Sequence, residues 1–177
     1  MGALVKKEIH AVVSQQEEGQ FLTFLIGGEM FAISILGIKE IIEYGSLTTV
    51  PMMPDFIRGV INLRGAVVPV VDLSARFGRK SSEITRRSCI VILEVEADGE
   101  KQDVGVVVDS VLEVLAIAAS EIEPPPSFGA MIRTDFISGM GKVSGKFVII
   151  LQADRVLSVD EMAMLTQATD SAESVAA

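Results

Sequence analysis

Short runs of Val, Ile and Leu recur along the chain, broken by Gly, Pro and charged residues, the pattern of many short strands. Gln20 to Ile26 reads as a strand, Gly27-Gly28-Glu29 as a tight turn, and Met30 to Ile35 as its hairpin partner. Ile35 to Tyr44 reads as a bend followed by a strand, because β-branched residues dominate it. Phe56 to Asn62 and Ala66 to Val71 are two further strands joined by Leu63-Arg64-Gly65, with Gly65 supplying a positive φ. Pro69 inside the second of these argues for an edge or a bulge. Asp72 is placed to cap a short helix reaching Phe77. The second half predicts strands near 88–96, 102–108, 110–116, 136–142 and 146–152. A Pro-rich connection interrupts them, and Asp154 to Leu157 echoes the short helix. Ser158 or Asp160 would cap a terminal helix over 161–167.

The two halves say the same thing twice. Phe56, Ile57, Gly59, Gly65 and Val68 recur as Phe136, Ile137, Gly139, Gly145 and Val148, all at a shift of 136 − 56 = 80. Upstream, Ile33, Ile35, Ile38, Glu40, Ile41 and Pro51 match Val106, Val108, Val111, Glu113, Val114 and Pro124 at a shift of 106 − 33 = 73. A self-match at fixed shift marks a duplicated structural unit. The expected fold is mainly all-β: two similar five-stranded β-barrel lobes of SH3 or OB type, with short helices and a C-terminal helix. Lobe 1 is expected near 30–87 and lobe 2 near 88–152, with terminal strands or helices crossing between them. Residues 1–19 are expected to be a mobile extension, 20–165 the domain and 166–177 a frayed tail. A cleft between two such lobes is a natural binding place.

Composition narrows the function classes. A net charge of −9 opposes the Lys and Arg contacts that give nucleic-acid affinity. With no Trp and one Tyr, stacking platforms for single strands are scarce as well. The basic stretch Arg76-Phe77-Gly78-Arg79-Lys80, with Arg86-Arg87, reads as a solvated face. No uncharged apolar run of transmembrane length is present and residues 1–8 lack a signal peptide's apolar core. A cytoplasmic protein without direct membrane insertion is expected.

Catalytic constellations are missing from this reading. The single histidine, His10, lies in the extension, and one His with one Cys leaves no zinc set, so no metal and no cofactor are expected. Gly141-Lys142-Val143-Ser144-Gly145-Lys146 superficially resembles a phosphate-binding loop. Its glycines stand one residue too close and Phe147 replaces the required hydroxyl, so it reads as a hairpin turn. Cys89 opens an apolar run and reads as a buried small hydrophobe. Glu40 is the unusual acid: in an Ile-rich strand it needs either solvent or a cation, and Arg64 is the candidate partner.

The stretch from Phe56 to Leu73, with Asn62-Leu63-Arg64-Gly65 and its Pro69 and Asp72-Leu73 tail, resembles the signature of the CheW-type chemotaxis coupling proteins. It is also similar to the CheW-like regulatory domain of the CheA kinase. The resemblance runs from about Gln20 to Leu165 and implies a non-enzymatic adaptor with protein-binding grooves. The implied partners are the CheA-type histidine kinase regulatory domain and the cytoplasmic tips of transmembrane chemoreceptors, held in a hetero-oligomeric array at the inner membrane. By the same resemblance Gly59, Asn62, Arg64 and Gly65 match the functional hairpin. Ile38, Glu40 and Ile41 match a binding strand, and Gly105, Val111 and Val114 match positions lining a groove in the second lobe. A small-barrel nucleic-acid binder is the competing reading, opposed by acidity and the lack of aromatics.

Overall fold

The hydrophobic runs become eleven strands in the computed structural model, which describes residues 18–97, 99–125 and 136–157. β1 (Glu18–Ile26) and β2 (Glu29–Ser34) form a hairpin turned by Gly27 and Gly28, both at positive φ, as its two-residue loop demands. Ser34 caps a 3-10 turn over Ile35–Gly37 by accepting from the Leu36 N–H. β3 (Ile38–Glu43), β4 (Ile57–Leu63), β5 (Ala66–Asp72) and helix α1 (Leu73–Arg76) complete the first half. The second half repeats the strand order with a short extra strand and with its 3-10 turn placed after the third strand. It runs β6 (Cys89–Ala97), β7 (Glu100–Val108), β8 (Ser110–Ala118), a 3-10 turn, β9 (Ile122–Glu123), β10 (Ile137–Val143), β11 (Lys146–Leu151) and α2 (Ala153–Val156). The terminal extension and the helix expected over 161–167 lie outside the described residues.

The strands assemble into two sheets, and each sheet holds strands from both sides of residue 87. One sheet has the order β8-β1-β2-β11-β10-β9 and the other β3-β6-β7-β5-β4. Each half therefore lends its first hairpin to the sheet built by the other half. Each lent hairpin sits between two host strands, antiparallel on one side (β1–β8 and β6–β3) and parallel on the other (β2–β11 and β7–β5). The six-strand count of the first sheet includes the two-residue β9.

Burial gives the reason for this exchange. Ile90, Val91, Ile92 and Leu93 are all buried, so β6 needs cover on both faces. Ile90 and Ile92 pack with Val68, Val70 and Val107 inside the five-stranded sheet. Val91 and Leu93 point the other way, into a core shared with Phe24, Phe31, Val71, Phe77, Val106 and Phe136. A third cluster, Ala32, Ile117, Val148 and Ile150, fills the six-stranded sheet. The shared core is the largest of the three, which is how two small sheets stabilise each other.

The five-stranded sheet wraps on itself. β3 and β4 are its opposite edges, four strand spacings or roughly 19 Å apart if flat. Yet Thr48, in the segment after β3, exchanges two 2.9 Å hydrogen bonds with Val60 of β4. A Cβ on Gly59 would meet the Thr48 carbonyl oxygen at 2.4 Å, so this approach requires glycine. Pro69, expected at an edge or a bulge, lies in a central strand. Val60 opposite it spends its N–H and carbonyl on Thr48, and the pairing of β5 with β7 begins only at Val70. The proline's missing donor is not needed there.

Candidate docking site

β3 and the β4–β5 turn bring Glu40 and Arg64 together. Arg64 Nη2 donates to Glu40 Oε2 at 2.6 Å, the arginine 77% exposed and the glutamate 24%. The pairing expected from sequence is present, and it joins the two edges of the wrapped sheet. Glu40 Oε1 is buried with no hydrogen-bond partner among the described residues. Arg64 sits at φ 54 and Gly65 at φ 87. A non-glycine residue in the left-handed region costs about 1–2 kcal/mol, so an arginine there is retained against backbone preference. Asn62 supports the turn, its Oδ1 accepting from the Gly65 N–H at 2.9 Å.

The remaining expected site residues divide. Ile41 on β3 and Val114 on β8 are exposed, at 42% and 52%, and correspond at the shift of 73. Ile38 and Val111 are half-buried and pack against the shared core. Gly59 is buried and explained by Thr48. Gly105 lies on β7 in the five-stranded sheet. A Cβ there would meet Ile90 Cγ2 at 2.7 Å and crowd Ile92 and Val70. Its glycine is a packing requirement.

Both exposed edges are bulged at equivalent positions. Pairing of β3 with β6 skips Lys39, and pairing of β8 with β1 passes from Val114 to Val111 while β1 advances from Leu22 to Phe24. Buried Thr23 fills the second irregularity, donating to the Glu113 carbonyl at 2.7 Å and accepting from its N–H. The duplicated bulge has diverged. It presents Lys39, held by Asp103 at 3.1 Å and Glu94 at 3.7 Å, in one copy and exposed Leu112 in the other. The hydrogen bonds that Lys39 donates to Asp103, then the Asp103 charge, raise the pKa of exposed Lys39. With Asp103 ionised, the lysine's side of that pair is fully present below 10.5 and is lost as pH rises through the raised value.

A cleft of about 380 Å³ opens where the sheets meet. Phe21, Ile33 and Ile150 come from the six-stranded sheet and Leu93 from the other, with Ser138, Gln152, Ala153 and Asp154 along one wall. Leu36 stands at its border, 95% exposed on the 3-10 turn. Leu36 and the cleft's α2 wall were not singled out from sequence. The available signal was an apolar Ile-Leu pair on a bend with no strand to bury it.

Two sequence readings change here. Arg76 and Arg79 are not a solvated basic face: Arg79 pairs with Glu29 at 3.1 Å and Phe77 between them is buried. Cys89 is half-buried, and burial, then the Glu43 charge, raises its thiol pKa, which disfavours the reactive thiolate. Among the described residues no group of three or more His, Cys, Asp or Glu could hold a metal ion, and no helix is long and apolar enough to cross a membrane.

The CheW-like domain model matches residues 20–161. The chain belongs to this family. The chemotaxis protein CheW of Klebsiella aerogenes is 34% identical over 152 residues, covering 86% of this chain and 89% of that protein. The chemotaxis protein CheW of Rhizobium meliloti is 32% identical over 142 residues, covering 80% and 89%. The crystal structure of the scaffolding protein TtCheW from Thermoanaerobacter tengcongensis superposes with a TM-score of 0.72 at 35% identity, covering 81% of this chain and 90% of that one. The CheW-like match spans both sheets, so the exchanged hairpins belong to one family domain and not to two joined ones.

Proposed function

We propose that this CheW-like chain is a non-enzymatic adaptor that couples the cytoplasmic tips of transmembrane chemoreceptors to the regulatory domain of a CheA-type histidine kinase. It works in the cytoplasm, recruited to receptor arrays at the inner membrane. The observation that carries the reading is the duplicated edge. An adaptor needs two surfaces on one chain, and β3 with Ile41 and β8 with Val114 place equivalent apolar positions on different sheets. Contacts of this head-to-tail kind propagate into rings or extended arrays. The cleft bordered by Leu36, with Phe21, Ile33 and Leu93 among polar residues such as Glu94, Ser138 and Asp154, adds a mixed concave surface.

Two substitutions test the surfaces without touching the core. Arg64→Ala and Leu36→Asp are each expected to alter folding stability by no more than about 0.5–1 kcal/mol, as surface changes do. Each is expected to weaken one partner by about 2 kcal/mol or more, because an interface arginine is lost or a charge is driven into an apolar contact. Titration calorimetry against a receptor-tip fragment and the kinase regulatory domain reads both. Unchanged binding of both partners in both variants would overturn the docking assignment. A Glu40/Arg64 double-mutant cycle on affinity is expected to show coupling of at least about 0.5 kcal/mol; simple addition would mean that the ion pair does not shape the interface.

A further inference from the structure

We infer that Arg76 is a positioning residue for the cleft, holding the α2 wall in place from the other half of the chain. The two copies of the short helix are held in different ways. Asp72 caps α1, its carboxylate accepting from the Ala75 N–H. The equivalent residue at the shift of 80 is Gln152, which makes no side-chain cap to α2. The backbone contacts below the two helices are alike: the Phe56 carbonyl accepts from the Asp72 N–H at 2.7 Å, and the Phe136 carbonyl from the Gln152 N–H at 2.9 Å. What α2 lacks in its own cap is supplied at its far end. Arg76 Nε donates to the Val156 carbonyl at 3.0 Å, meeting one of the orphan acceptors at a helix C-terminus, where a cation is also favoured.

The same guanidinium lies over two rings that are themselves repeat equivalents. Its carbon is 5.1 Å from the Phe56 centroid and 4.5 Å from that of Phe136, within cation–π range of both. Arg76 and Val156 are also equivalents, since 76 + 80 = 156. One asymmetric side chain therefore sits where the two copies meet and binds the end of the second copy's helix. Its reach into the cleft is indirect. Phe136 leads into β10 and Ser138, and Val156 closes the turn bearing Ala153 and Asp154; all three of Ser138, Ala153 and Asp154 line the cleft. Arg76 itself does not line it.

This inference rests on the docking reading of the cleft, and the experiment keeps the two apart. Arg76→Met keeps an apolar stem between the rings and removes the donor and the charge. Amide hydrogen exchange is measured on the intact chain at Arg155, Val156 and Leu157, whose N–H groups bond to Gln152 and Ala153 carbonyls. Those amides are expected to exchange about tenfold faster, with the β6–β7 ladder unchanged. The partner that Leu36→Asp disables is expected to bind Arg76→Met about tenfold more weakly, and the other partner within about twofold. Unchanged exchange at α2, acceleration spread evenly over the protein, or faster α2 exchange with unaltered affinity would each overturn the positioning role. If Leu36→Asp disables neither partner, the cleft reading itself fails, and the exchange measurement alone decides whether Arg76 holds α2.

Discussion

A chain divided between Arg87 and Ser88 is expected to leave neither fragment folded on its own. The first fragment keeps β3, β4 and β5 but loses β6 and β7, which stand between β3 and β5 in the sheet. It also keeps β1 and β2 without β8 and β11, their outer neighbours. Val71, Phe24 and Phe31 would face water where the second half supplies Val91, Leu93, Val106 and Phe136. The expected loss is the whole folding free energy, about 5–15 kcal/mol for an ordinary domain. Mixing the two fragments is expected to restore sheet structure and one cooperative transition by circular dichroism. A first fragment that melts cooperatively alone, independently of concentration, would show that a sequence-contiguous lobe folds by itself.

Asp72→Ala is expected to destabilise the intact domain by about 4 kcal/mol, in the range measured when one partner of a buried ion pair is removed. The carboxylate is fully buried. Oδ2 accepts from Arg58 Nε at 3.1 Å and the Ser82 N–H at 2.8 Å, and Oδ1 from the Ser82 hydroxyl at 2.9 Å. Arg58 also donates through Nη2 to the Ser82 carbonyl. Removing the carboxylate strands two Ser82 donors and an arginine that is three-quarters buried. At about 2–4 °C per kcal/mol for a chain of this size, the melting temperature should fall by roughly 12 °C. Urea unfolding checks it: the midpoint should drop with an unchanged slope. Asp72→Asn, which keeps one acceptor oxygen, should lose distinctly less. A loss below about 1 kcal/mol for alanine would mean that the loop from Gly78 to Ser88 is held by other contacts.

These two experiments act at different levels. Dividing the chain tests a topology that depends on residues far apart in sequence. Asp72 tests a local motif, since the partners of its carboxylate all lie within fourteen positions of it. Arg76 belongs with the first kind: its contact to Val156 spans eighty residues and exists only because the halves interlock.

Features that depend on near neighbours are readable from the residues alone. The strands, the Gly27-Gly28 and Arg64-Gly65 turns, the Asp72 cap and the two-fold repeat all follow from period, propensity and short-range hydrogen bonding. The Glu40–Arg64 pair was legible too, because a carboxylate among isoleucines calls for a cation. Which sheet each hairpin joins is known only from the folded chain. A repeat shows that β1-β2 and β6-β7 are alike, but strand partners are chosen by long-range burial that no local pattern encodes. The fold also supplies reasons that the local pattern does not. Gly105 is glycine because Ile90 and Ile92 of β6, its own hairpin partner, crowd it, and Ile38 and Val111 pack against the core that the exchange creates. Arg76, one of a run of basic residues, became an internal clasp because the fold set Phe56, Phe136 and the end of α2 around it.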